Sequence, residues 1–196
     1  MKLSTLFSAA MLVAAASAQA AVVDFTGESA GAKPNGYTVG GIAFTDTLGA
    51  DLNVGDFGVQ SHGNALAVFG DDRSKLAMSF GAATSLSMEF GNDDPGFSSP
   101  GDRAWLQAYL GATLVGTSFV TMNRDDIMNQ TISISGVGTF DNAVFYYGNA
   151  AGDAIGLIEV VDNIDLVAGA VPEPETYALM LAGLGVVGFM ARRRKA

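Results

Sequence analysis

The sequence predicts an all-β protein: an antiparallel two-sheet sandwich of the jelly-roll kind, with an N-terminal signal peptide and a single C-terminal transmembrane helix. Three observations carry this expectation. Short β-prone runs recur through the middle of the chain, and several alternate with period two, the mark of half-buried strands. The segments between them are turn chemistry, where Asp and Asn bond their own backbone and Gly supplies positive φ. No long amphipathic helical stretch interrupts residues 21–167, and many short strands joined by such turns argue for a sandwich.

The elements follow in chain order. Met1-Lys2 is a positive n-region, 6–16 is an apolar run, and Ala18-Gln19-Ala20 is a small-x-small cleavage site. Residues 1–20 therefore form a secretory signal peptide, cut after Ala20. Its apolar run is short for a membrane span. Residues 21–167 form one β-sandwich domain, with strands expected at 22–26, 37–39, 42–47, 57–60, 65–69, 76–80, 85–90, 104–110, 113–122, 130–135, 140–147 and 157–167. In Ser85-Leu86-Ser87-Met88-Glu89-Phe90 and Thr131-Ile132-Ser133-Ile134-Ser135 the apolar residues share one face. Tyr146 and Tyr147 fall on opposite faces, so one of them is expected to be exposed. Turns are placed at Lys33-Pro34-Asn35-Gly36, Gly70-Asp71-Asp72, Gly91-Asn92-Asp93-Asp94-Pro95-Gly96 and Ser99-Pro100-Gly101-Asp102. Residues 124–129 form at most one helical turn, and there is no convincing internal repeat.

Residues 168–175 read as a linker. Pro172 and Pro174 remove two backbone donors and bias the strip to an extended form that a processing enzyme can grip. Residues 176–191 carry no charge, which as a helix spans about 24 Å against a hydrocarbon core of about 30 Å. Snorkelling arginines and an interfacial Tyr177 would help it reach. Arg192, Arg193, Arg194 and Lys195 form a basic tail that holds the end in the cytoplasm and leaves the body outside.

Composition narrows the partners. Of 10 Lys+Arg and 20 Asp+Glu, five basic and two acidic residues lie in the targeting ends, which leaves the body five against eighteen, near −13. Such a surface repels phosphate backbones and excludes nucleic acid as a partner. The chain has no cysteine, so the body stands on its core without disulfides, thiolate zinc sites or a cysteine nucleophile.

Val171-Pro172-Glu173-Pro174-Glu175, the apolar run after it and Arg192-Arg193-Arg194-Lys195 together resemble the PEP-CTERM sorting signal of Gram-negative bacteria. The resemblance covers about 25 residues, and its specificity lies in the three-part arrangement. It implies an exosortase, a membrane-embedded cysteine transpeptidase, as processing partner, with Pro172, Glu173 and Pro174 as recognition residues. It also implies passage through the inner membrane to the cell surface or the exterior, and a role in exopolysaccharide and biofilm. A sortase signal would carry Leu-Pro-x-Thr-Gly, and a GPI signal would end in its hydrophobic tail; neither fits. More loosely, Asp24-Phe25, Asn35-Gly36-Tyr37, Gly41-Ile42-Ala43-Phe44 and 158–164 are similar to the opening and closing strands of exported domains of such proteins, which implies a carbohydrate-binding-module-like body.

Candidate chemistry within the body is sparse. Asp162 shares parity with Ile158, Val160, Ile164 and Leu166, so a carboxylate falls on an apolar face. It must meet a cation, find backbone donors or escape through a bulge. A structural calcium held by Asp24, Glu28 and Asp162 is one expectation; a backbone-bonded carboxylate at a strand end is the other. Trp105 and Tyr109 share parity and form a candidate sugar platform, although the opposite face of the same strand is also apolar. The acidic clusters around Asp72 and Asp93 read as turn residues on a solvated rim. One histidine, His62, cannot build a two-histidine metal site, and no pair of carboxylates is singled out for glycoside hydrolysis. The sequence thus leads to a non-enzymatic exported matrix protein, with a specific carbohydrate-binding module as the alternative and a glycan-active enzyme behind both.

Overall fold

The computed structural model describes residues 20–70, 72–169 and 174–193. The strands are β1 (Ala20–Val23), β2 (Gly31–Lys33), β3 (Tyr37–Val39), β4 (Ile42–Asp46), β5 (Leu52–Asp56), β6 (Asn64–Val68), β7 (Leu76–Gly91), β8 (Arg103–Leu110), β9 (Thr113–Thr121), β10 (Gln130–Gly148) and β11 (Glu159–Ala168), followed by a helix, α1 (Pro174–Arg193). The strands fall in one compact unit and α1 in another.

All strands join one continuous antiparallel sheet in the order β2-β5-β6-β11-β7-β10-β8-β9, with β1 on β11 and β3-β4 attached to β7. The two layers of the sandwich are made by folding this sheet over itself. Leu76 and Phe90 stand at the two ends of β7, on the order of 45 Å apart if the strand were straight. Yet the Phe90 ring lies 5.9 Å from that of Phe145, the residue that pairs with Leu76. The strand must therefore turn back on itself. Its first part pairs with β4 and the C-terminal part of β10; its second part pairs with β11 and the N-terminal part of β10.

The corner is visible in the side chains. Leu76, Met78 and Phe80 face inward, Ala83 breaks the parity, and Leu86, Met88 and Phe90 restore it. Opposite, the β10 register shifts between Ser135 and Phe140, where extra residues bend the ribbon. The expected runs 76–80 and 85–90 are thus one strand, and so are 130–135 and 140–147. Residues 57–60 form a 3-10 turn instead of a strand, at Gly58–Gln60, since the Phe57 N–H donates to Ser61 Oγ at 2.8 Å and Gly58 adopts φ +66. Leu52–Asp56 and Gly31–Lys33, unexpected from their turn-forming composition, are strands.

One core serves both layers. Phe25 packs on Phe44 at 5.7 Å, Phe80 on Phe140 at 5.9 Å, and Phe90 on Tyr147 at 6.0 Å. The buried Tyr147 hydroxyl donates to the Gly91 carbonyl and so ties the end of β7 to β10. A Cβ at Gly91 would lie 2.4 Å from the Gln60 carbonyl oxygen and 3.1 Å from Met128 Cβ. Gly91→Ala is therefore expected to cost about 1–3 kcal/mol, measured by urea unfolding; an unchanged midpoint would show that this approach is not tight.

Residues 1–19, 170–173 and 194–196 lie outside the described residues, and with them the body of the expected signal peptide, Pro172, Glu173, Arg194 and Lys195. The apolar run is helical, with Pro174 at its first position and Arg192 and Arg193 in its last turn, where cations favour the helix C-terminus. The expected membrane span is not met by it: among the described residues no helix is long and apolar enough to cross a membrane. The uncharged run is only residues 176–191, is diluted by Gly183, Gly185 and Gly188, and is closed by charge at both ends.

Candidate functional site

Strand β8 alternates strictly. Ala104, Leu106 and Ala108 are fully buried, while Arg103, Trp105, Gln107 and Tyr109 are half-buried on the outer face. The smaller, aliphatic set of β8 goes inside and the aromatic set stays outside. Pairing then builds a row of rings across three strands. Trp105 stands opposite Phe119 of β9 and opposite Tyr146 of β10. The Trp105 ring lies 5.2 Å from Phe119, tilted, and 6.4 Å from Tyr146, nearly parallel. Tyr109 faces Leu114 and Asn142 further along the same surface, with its hydroxyl donating to Gln107 Oε1 at 2.8 Å.

The row is held by a turn over its end. Trp105 Nε1 donates to the Asn149 carbonyl at 3.1 Å, and the Tyr146 hydroxyl donates to the Gly152 carbonyl at 3.1 Å. Gly148 permits this closeness: a Cβ there would lie 2.9 Å from the Asp153 carbonyl oxygen and 3.0 Å from Trp105 Cδ1. Contrary to the expectation for adjacent tyrosines, both Tyr146 and Tyr147 are buried, at 2% and 0% exposure. Tyr147 points into the core, and Tyr146 is roofed by the turn and by Lys75, whose Nζ sits 3.8 Å from its ring centre. Burial first, then Tyr109 and Asp153, push the Tyr146 phenol upward. On the other flank the Arg103 guanidinium lies 4.0 Å from the Phe119 ring centre and 5.6 Å from that of Trp105. Phe119 stays 48% exposed. The alternation linking Arg103 with Trp105 was readable in the sequence; Phe119, Tyr146 and Lys75 join only through register.

The other predicted residues fall elsewhere. Asp24, Glu28 and Asp162 do not converge as calcium ligands, and among the described residues no group of three or more Asp, Glu or His side chains is arranged to hold a metal. Glu28 accepts the Tyr37 hydroxyl at 2.6 Å. This contact stands behind burial in pushing the phenol well above its ordinary range. Asp162 is buried and accepts the Asn163 N–H at 2.8 Å. Asn163 takes φ +48 at a break in the β11 register, so donors and a bulge resolve this carboxylate together. Burial raises its pKa, the Asn163 and Phe25 amides and His62 lower it, and Asp24 raises it. His62 Nε2 lies 3.4 Å from Glu89, which also accepts Asn163 Nδ2 at 2.7 Å. Of the acidic turns, Asp93 is not on a solvated rim: it is buried and accepts the N–H groups of Arg124 and Asp126, both at positive φ. Residues 124–129 accordingly make bends and no helical turn.

Residues 170–195 match the family described as the PEP-CTERM protein-sorting motif, which implies export and sorting to the cell surface. No curated protein matches the chain. Among solved structures it is similar to the K1 cleaved adhesin domain of Lys-gingipain from Porphyromonas gingivalis W83, at 8% identity and TM-score 0.42, over 78% of this chain and 99% of that one. It is similar to the N-terminal CBM22-1-CBM22-2 tandem domain of Paenibacillus barcinonensis Xyn10C, at 15% identity and TM-score 0.44, over 83% of this chain and 50% of that one. A third likeness is to CsCBM6-3 from Clostridium stercorarium in complex with cellobiose, at 16% identity and TM-score 0.35, over 65% and 94%.

Proposed function

Starting from a chain that carries the PEP-CTERM sorting motif over residues 170–195, we propose an exported, non-enzymatic surface protein whose β body engages matrix carbohydrate. The leader is removed, an exosortase processes the Pro172-Glu173-Pro174 region, and the acidic body is delivered to the cell surface or the exopolysaccharide of a biofilm. The observation that supports glycan engagement is the outward pair Phe119 and Trp105 with Tyr109 beside it, on the outer face of β8 and its neighbours, backed by the buried Tyr146 ring. Rings on a sheet face present flat apolar area at little entropic cost, which suits the C–H faces of pyranoses. The core needs none of Trp105, Tyr109 or Phe119, since the inner face of β8 is already filled by Ala104, Leu106 and Ala108.

The full chain on an array of bacterial and plant polysaccharides is expected to bind at least one glycan saturably. Tyr109→Ala and Trp105→Ala should each weaken that binding by about tenfold, near 1.4 kcal/mol. Because Trp105 also anchors the 149–153 turn, Tyr109→Ala is the cleaner variant. An array without any saturable signal would leave a purely space-filling matrix role; turnover of a polysaccharide would replace the proposal with an enzyme.

A further inference from the structure

Cations are scarce in this body and oddly placed. Of its five Lys and Arg residues, Arg103 and Lys75 sit against the same ring row, over Phe119 and Tyr146 respectively. Eighteen carboxylates are available to pair with them. Yet among the described residues the one ion pair within 4.0 Å is that of His62 with Glu89. Arg103 instead donates one bond to the Ala150 carbonyl at 3.3 Å. Asp153 acts on the row through Tyr146, and its carboxylate accepts a hydrogen bond from Asn149 Nδ2 at 3.0 Å. Two positive charges are thus held in place by rings and left without a counter-charge, on a body near −13.

Resting on the carbohydrate reading above, the geometry points to an acidic polysaccharide as the ligand, one whose sugars carry carboxylates. A sugar ring stacks along Trp105 and its carboxylate is taken by the Arg103 guanidinium, whose planar fork matches two oxygens. Lys75, over Tyr146 in a row with successive ring centres 5.2 and 6.4 Å apart, meets a carboxylate further along the polymer. A neutral glycan offers both cations only hydroxyl acceptors, which are weaker partners than the charge-assisted bonds of a carboxylate. The surrounding negative field disfavours polyanions in general, so charge must be met together with ring stacking; a phosphate polymer without sugar faces at this spacing gains only the first.

The test uses the full chain with polygalacturonate and with the same polymer after carboxyl reduction, each titrated calorimetrically at low and high salt, and single-stranded DNA alongside. Binding to the charged polymer is expected, weakening at least tenfold on carboxyl reduction and falling with added salt. Arg103→Gln with Lys75→Gln should weaken charged-polymer binding at least tenfold. Arg103→Lys, which keeps the charge but loses the planar fork, should bind more tightly than Arg103→Gln and less tightly than the parent, so a folding defect is separated from a lost charge. Equal binding of the charged and reduced polymers overturns this inference and leaves the carbohydrate reading standing. DNA bound as tightly as polygalacturonate overturns it as mere charge attraction. Failure to bind either polymer overturns it too, and the array then decides separately whether any glycan is bound.

Discussion

Glu159→Gln is expected to stabilise the folded body by about 1–3 kcal/mol at neutral and alkaline pH, because the folded state no longer has to keep a buried carboxyl protonated where the unfolded chain ionises it. Glu159 opens β11, is 1% exposed, and neither carboxyl oxygen completes a hydrogen bond. Burial pushes its pKa well above the ordinary value of 4.5; the amides of Glu159 and Tyr147 pull it down, and the carboxylates of Asp46 and Asp72 push it up. The Tyr147 ring is the other titratable neighbour. The sign follows from proton counting. Below pH 4.5 the side chain is neutral in both states and costs no charge burial. Above it the unfolded chain releases the proton while the folded chain keeps it. Stability therefore falls as pH rises from about 4.5 to the raised folded value, then levels off. Gln keeps the shape and removes the proton, so the variant should lose most of that slope in urea melts from pH 4 to 9. Asp162 and Asp126, both raised first by burial, leave a smaller slope of the same sign. A variant whose melts track the parent at every pH would mean that Glu159 is solvated or paired.

Pro172→Ala with Glu173→Ala and Pro174→Ala is expected to stop maturation altogether in the native host. The chain should accumulate in the cells at precursor length, with at least a tenfold loss from the surface and the medium. The strip is expected to be recognised as a linear peptide, since Pro172 biases the residue before it away from the helical region. Helix α1 starts at Pro174, so the strip lies immediately ahead of a helix N-terminus. Mass spectrometry of the C-terminus, with and without the host's candidate exosortase, measures the outcome. Exported protein that still ended in Arg192-Arg193-Arg194-Lys195-Ala196 would end the sorting account.

The local features were legible because they rest on near neighbours. Alternation in 85–90 and 131–135 gave half-buried strands, and those residues do face the core through Leu86, Met88, Ile132 and Ile134. What escaped was anything decided by a distant partner. Gly81-Ala82-Ala83-Thr84 has no alternation to read, yet it continues β7, because β10 bends with it. Leu52-Asn53-Val54-Gly55-Asp56 is poor in β-formers and becomes a strand because β2 and β6 flank it and Leu52 and Val54 fill the core. Glu159 gave no warning as a titrating core residue, since its burial depends on β6 and β7 lying on either side.

By itself, the sequence determined the β class of the body and the sorting label at its end. The label is a run of contiguous residues, and strand patterning is set by side-chain parity along one segment. Only the tertiary structure decided which parity of β8 turns outward and which rings and cations meet there. Trp105, Phe119, Tyr146, Lys75 and Arg103 come from separate segments, and their neighbourhood is fixed by cross-strand register and by the folding of one sheet over a shared core.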